Sequence, residues 1–174
     1  MKLLICLYHL LIQLQLCSSE KPKLHFFFRT AHPDVKFHQK RLAAAKESVL
    51  TQAKKLSAES RVFADDLEDR KDYYSHFLIV NALPFVKERL KENTGWIFIG
   101  EETTRVELEF LLPYIDELEK SNEPMIVGRP LFDQEMTIIH HFFGANGREY
   151  KTFGYPDYEA GFLMNIPLMN ALIR

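Results

Sequence analysis

The chain has 174 residues, 47% of them hydrophobic and 26% charged, which suits one compact globular domain and is too short for two large ones. Its 22 basic and 24 acidic residues nearly cancel, and no stretch interleaves basic residues with aromatics, so a nucleic-acid-binding role has no electrostatic footprint. No internal repeat, low-complexity tract or Gly/Ser linker divides the sequence.

Residues Met1 to Leu16 begin with the single cation Lys2 and continue apolar, and the small residues Cys17, Ser18 and Ser19 then precede Glu20 and Lys21. That order is a signal peptide's, covering 1–19 with cleavage after Ser19. His9, Gln13 and Gln15 interrupt a run already shorter than the roughly 20 apolar residues of a spanning helix. An uncleaved signal anchor is the competing reading. The leader implies the secretory pathway, with the endoplasmic reticulum lumen as the expected site, or the membrane of that compartment or the Golgi if the leader is retained. Both cysteines, Cys6 and Cys17, lie inside it, so the mature chain carries no thiol and must be held by a packed core. Asn93-Thr94-Gly95 and Asn122-Glu123-Pro124 both miss the N-glycosylation triplet.

Leu24 to Arg29 is an aromatic-rich run after a turn-prone Lys-Pro-Lys, and it reads as a buried first strand. From Phe37 to Leu56, the spacing of Leu42, Ala45, Val49, Ala53 and Leu56 predicts an amphipathic helix. Arg61 to Ala64 reads as a short strand that gives way to a solvated acidic loop, Asp65 to Asp69. A second helix is expected from Tyr74 to Leu90, with Pro84 either kinking it or marking its start.

Trp96 to Ile99, bounded by Gly95 and Gly100, is the strongest candidate for a central strand covered on both faces. Helical periodicity returns from Val106 to Leu118, and Met125 to Gly128 reads as a further buried strand. A strand at Thr137–Phe143, a turn at Gly144–Gly147 and a return strand at Lys151–Phe153 are expected next. Tyr155 to Phe162 reads as a loop leading into Leu163–Ile166, and Pro167 opens a terminal helix. Strands alternating with helices imply an α/β layered fold.

In such a sheet, ligands bind in the crevice beyond the carboxyl ends of the strands, where Glu101-Glu102-Thr103-Thr104-Arg105 is expected to lie. Carboxylates there suit a divalent cation that bridges diphosphate oxygens, although an acidic pair at a strand end is also common in solvated loops. His140-His141 invites a zinc reading, but adjacent strand residues point to opposite faces, which favours one in the core or over the cleft and one in solvent. Asp65-Asp66, and Asp157 with Glu159, read first as loop charges. There is no Gly-x-Ser-x-Gly elbow, Walker loop or Gly-x-Gly-x-x-Gly motif.

Trp96 to Val106 resembles the strand and acidic metal motif of the Fringe-like β-1,3-glycosyltransferases, of glycosyltransferase family 31 type. Phe37-His38 with Arg41, Gly128 to Leu131, Thr137 to His141 and Tyr155 to Leu168 extend the resemblance over most of the mature chain. It is most similar to the branch that transfers glucose from UDP-glucose to O-linked fucose on thrombospondin type 1 repeats. The resemblance implies a GT-A-like mixed α/β sheet flanked by helices and incomplete at the C-terminus, with residues 20–174 as the N-terminal domain of such a protein.

It also implies Mn2+ and a UDP-sugar as cofactor and donor, with Glu101, Glu102, Thr103 and Arg105 at the donor or metal site and Glu101 and Glu102 as the metal ligands. Asp157, Glu159 and Arg41 are the corresponding candidates for contacts with the sugar or acceptor. Partners are expected to be the thrombospondin-repeat glycoprotein or a catalytic glycosyltransferase domain. In the family an Asp-rich triplet fills the acidic position, and here Glu and Thr replace aspartates. An inverting transferase needs a carboxylate base, which the family places beyond the region matched by Tyr155 to Phe162, and the sequence stops at Arg174 before it. The expectation is therefore a glycosyltransferase-type domain without the complete catalytic machinery, or a binding module.

Overall fold

A computed structural model describes residues 21–30, 34–67, 82–90, 95–121, 123–133 and 153–173. The leader expected at residues 1–19, the start of the helix expected from Tyr74, and the segment holding His140, His141 and the turn expected at Gly144–Gly147 lie outside them. The elements in chain order are β1 (Leu24–Arg29), α1 (Lys36–Lys55), β2 (Val62–Asp66), α2 (Leu83–Arg89), β3 (Trp96–Glu101), α3 (Leu108–Leu118), β4 (Ile126–Gly128), β5 (Pro130–Asp133), β6 (Phe153–Pro156), β7 (Phe162–Asn165) and α4 (Ile166–Leu172).

Five strands form one sheet in the order β2-β1-β3-β7-β4, and β5 pairs with β6 in a separate two-stranded ribbon. β1 runs parallel to both β2 and β3, whereas β7 is antiparallel to β3 and to β4. The fold is thus α/β with a mixed sheet.

The unbroken apolar runs of β1 and β3 follow from cover on both faces. Phe26, Phe28, Trp96 and Phe98 turn to one face, where Val49 and Ala53 of α1 and Leu108, Leu112 and Ile115 of α3 pack. Phe27, Ile97 and Ile99 turn to the other and meet Leu83 and Val86 of α2 and Met169 of α4. Alternation of side chains along a strand thus divides one sequence run between two half-cores. Each fully buried aromatic or aliphatic side chain contributes roughly 1.5–3 kcal/mol. Leu56, expected on the buried stripe, is 40% exposed because α1 has already ended at Lys55.

Three other expectations are corrected. β2 runs on through Asp65 and Asp66, opposite Phe27 and Phe28, in place of breaking into a loop. Ion pairs make this possible, since Lys46 lies 2.7 Å from Asp66 and Arg89 lies 2.6 Å from Asp65. β4 is not a buried strand: β7 inserts between it and β3, leaving β4 at the sheet edge with Ile126 exposed. The segment after Tyr155 is strand at both ends, with β6 before the turn and β7 after it.

Pro84 and Pro167 each stand in the first turn of a short helix, where a missing N–H costs nothing. Asn165 joins β7 to α4: its Oδ1 accepts from the amides of Met125 (2.9 Å) and Leu168 (3.1 Å), and its Nδ2 donates to the Glu123 carbonyl (2.7 Å). That one buried side chain fastens the edge strand and caps the helix.

Candidate functional site

The parallel register places Arg29 opposite Glu101, so the carboxyl ends of β1 and β3 open at the same edge of the sheet. The Glu102 amide donates to the Arg29 carbonyl at 2.9 Å, which carries the ladder one residue past β3. The pleat therefore sends the two adjacent carboxylates in opposite directions.

Glu101 joins the α2/α4 side. Its Oε1 lies 3.4 Å from Arg29 Nη2, and the Arg29 guanidinium stands 5.8 Å from the centre of the Tyr158 ring, which meets Phe162 edge-on. Burial pushes the Tyr158 hydroxyl above its ordinary range, and the Arg29 charge partly offsets this.

Glu102 joins the α1 side. Its side chain is only 8% exposed, with Oε1 2.5 Å from His38 Nδ1 and 3.9 Å from Arg41 Nε. Burial by itself would raise the Glu102 carboxyl. Hydrogen bonds from the Thr30 hydroxyl and His38, with the charges of His38 and Arg41, outweigh it and hold the carboxyl below its ordinary value of 4.5. A charge-assisted hydrogen bond of this kind is worth roughly 1.5–3 kcal/mol. Among the described residues, Glu102 Oε2 is buried without a hydrogen-bond partner.

Between them the chain turns sharply. The Thr104 amide donates to the Glu101 carbonyl (3.0 Å), and the Thr104 hydroxyl accepts from the Glu101 amide (2.9 Å) while donating to the Glu159 carbonyl (2.8 Å). This buried hydroxyl ties the end of β3 to the turn before β7. Gly100 leaves room for it, because a Cβ there would meet Phe98 at 2.9 Å and Thr104 Oγ1 at 3.0 Å.

In the second turn, Asp157 Oδ1 accepts from the amides of Glu159 (3.1 Å) and Ala160 (3.4 Å), and Oδ2 lies 3.6 Å from Arg129 Nη1. Gly161 closes it with φ +77°, a conformation that glycine tolerates best.

The residues expected at the site are thus partly united. Glu101, Glu102 and Thr104 share one strand end, Arg41 reaches Glu102, and the Asp157–Glu159 turn is tethered alongside through Thr104. Thr103 is exposed on the turn, and Glu159 contributes its backbone while its side chain faces solvent. Arg105 points elsewhere: with Phe98, Phe110, Leu111, Tyr114 and Ala160 it lines an open groove of about 470 Å3 beside α3.

Arg29, Thr30 and Tyr158 were not singled out by sequence, and His38 only by resemblance. Arg29 had a signal, as the cation that ends an apolar strand beside the strand carrying the acidic pair. The pairing of His38 with Glu102, 64 positions apart, had none.

A divalent cation needs several oxygen ligands converging on one point. Glu101 and Glu102 diverge, Glu101 onto Arg29 and Glu102 onto His38 and Arg41, and the Thr104 hydroxyl already makes two hydrogen bonds. Among the described residues, no three His, Cys, Asp or Glu side chains group as metal ligands. This donor set does not fit one ion.

No family model matches the chain, and no solved structure matches it. Two known proteins do: human β-1,3-glucosyltransferase, 36% identical over 141 residues, and its mouse counterpart, 35% identical over 140. Each match covers 79% of this chain and 27% of the relative. Over that four-fifths of its length, the chain is related to the β-1,3-glucosyltransferases and shares with them a segment of about a quarter of theirs.

Proposed function

We propose that this chain is a glycosyltransferase-type module that serves glucose transfer to O-linked fucose on thrombospondin type 1 repeats by holding the acceptor or a catalytic domain, and does not itself carry out the transfer. The observation that supports this reading most is the state of the acidic pair: the carboxylates at the end of β3 are engaged with Arg29 on one side and His38 and Arg41 on the other. A general base must reach the acceptor hydroxyl unencumbered, and a metal ligand must give its oxygens to the ion. Here Glu101 Oε1 faces Arg29, and Glu102 Oε1 faces His38 and Arg41.

The polar surface around them is nonetheless well built, with the Asp157–Glu159 turn fixed next to the strand end and an aromatic-lined groove adjoining it. Such a surface suits recognition of a glycosylated chain. The leader expected at residues 1–19 supports a role in the endoplasmic reticulum lumen, or at the membrane if that leader is retained.

The test is calorimetric titration of the purified chain with a fucosylated thrombospondin repeat and with the unmodified repeat, alongside a transfer assay with UDP-glucose and Mn2+. Binding of the fucosylated form without transfer is expected. Turnover of UDP-glucose onto the repeat would make the chain an enzyme in its own right, and absence of binding to repeat and catalytic domain alike would remove the module reading.

A further inference from the structure

The disagreement between the metal expected from resemblance and the donors present has a consequence of its own. We propose that Arg29 and Arg41 are built-in counter-ions of Glu101 and Glu102 and His38 a built-in hydrogen-bond partner of Glu102, so that the carboxyl end of β3 is assembled without a divalent cation.

Three observations carry this. First, the backbone separates the two carboxylates. The Glu102 amide continues the parallel ladder at 2.9 Å from the Arg29 carbonyl, so Glu101 and Glu102 keep the alternation of a strand and lie on opposite faces of the sheet. A single ion at about 2.0–2.6 Å from both would require the two side chains to leave their present partners and turn toward each other around the strand end.

Second, each carboxylate already has protein partners supplied by elements packed in the fold, among them one guanidinium apiece. Arg29 comes from the neighbouring strand, in register with Glu101. His38 and Arg41 come from the first turns of α1, and their three-residue spacing puts both on the face that meets Glu102. Third, the Glu102 side chain is only 8% exposed, and the Thr30 hydroxyl adds a hydrogen bond to the one that His38 makes with Oε1, while Oε2 is buried without a partner among the described residues. Its charge is compensated where water and hydrated ions have little access. An ion arriving there would have to shed its hydration shell, displace His38 and approach the like-charged Arg41 guanidinium, and each step costs free energy.

The inference concerns how the strand end is held together. It stands whether or not a glycosylated repeat binds, so failure of the proposed function would leave it intact.

The experiment uses the full chain, purified through the secretory pathway. Mn2+ is titrated against excess protein and its free-ion electron paramagnetic resonance signal is followed. In parallel, thermal unfolding is recorded with Mn2+ or Mg2+ and with sodium chloride at matched ionic strength. We expect an undiminished signal, or a loss of signal identical in wild type, Glu101→Gln and Glu102→Gln, and no rise in Tm over the sodium chloride control.

Unfolding of His38→Ala, Glu102→Gln and the double variant measures the His38–Glu102 pairing directly. Each single variant should lower Tm by several degrees, and the double variant should fall little further than the worse single one, because the two act as a unit. Stoichiometric Mn2+ binding weakened by Glu101→Gln or Glu102→Gln would overturn the proposal. So would fully additive losses in the double variant.

Discussion

The hydroxyl of Thr104 is the smallest group whose removal should separate the two halves of the candidate site. It accepts from the Glu101 amide at 2.9 Å and donates to the Glu159 carbonyl at 2.8 Å, and the residue is 8% exposed. Thr104→Val keeps shape and β-branching but leaves a donor and an acceptor without their partner. An unsatisfied group costs roughly 1–3 kcal/mol when buried, and both groups are part-buried with some access to water, so a loss of about 2–4 kcal/mol is expected. Thr104→Ser retains both hydrogen bonds and loses one methyl, a loss of about 1 kcal/mol.

Urea unfolding of the two variants measures these values. Hydrogen exchange localises them: at 1.4 kcal/mol per decade, release of the Glu101 amide by about 2 kcal/mol accelerates its exchange roughly thirtyfold. Equal stabilities for the Val and Ser variants, or unchanged exchange at Glu101, would refute the view that this hydroxyl joins strand end to turn.

Asn165→Ala removes three hydrogen bonds that hold β4 and α4 and should cost about 3 kcal/mol in urea unfolding, with amide protection lost first at Met125 and Leu168. Ser57 sits at φ 52° just past α1, with the Ala58 amide bonded to the Ala53 carbonyl, so Ser57→Gly should stabilise by about 0.5–1 kcal/mol and raise Tm. The Glu102 carboxyl is held below 4.5, so its contribution is complete above that pH and is lost as pH falls through its folded value. Tm of the wild type should therefore fall more steeply below about pH 4.5 than Tm of Glu102→Gln, and parallel curves would contradict the assignment. The sole tryptophan, Trp96, is 1% exposed, so its emission should be blue-shifted in the native chain and move to longer wavelength in the same transition that unfolds the sheet.

Much of the layered fold is legible because apolar periodicity reports burial directly. β1, β3, α1 and α3 appear in sequence as runs of the right period, and they form the centre of the molecule. Where the runs are short, legibility fails. β7 is four residues long, and its insertion between β3 and β4 is decided by tertiary pairing, which no local pattern records. β2 defied its acidic composition because Lys46 and Arg89, remote in sequence, neutralise Asp65 and Asp66.

The candidate site divides along the same line. A strand ending in Glu101-Glu102 predicts where polar chemistry gathers, since strand ends open into the crevice. Which side chains answer those carboxylates depends on strand register and on the angle of α1, so the pairings of Arg29 with Glu101 and of His38 with Glu102 became visible only in three dimensions. Asp157, expected to face a sugar, places one oxygen on its own turn and the other near Arg129.

The most direct measurement of the central claim is mass spectrometry of a fucosylated thrombospondin repeat incubated with the purified chain, UDP-glucose and Mn2+, with binding measured on the same sample. The account predicts a bound repeat whose mass is unchanged. A repeat that gains one hexose in proportion to the amount of chain present, and ceases to do so with Glu102→Gln, would contradict it.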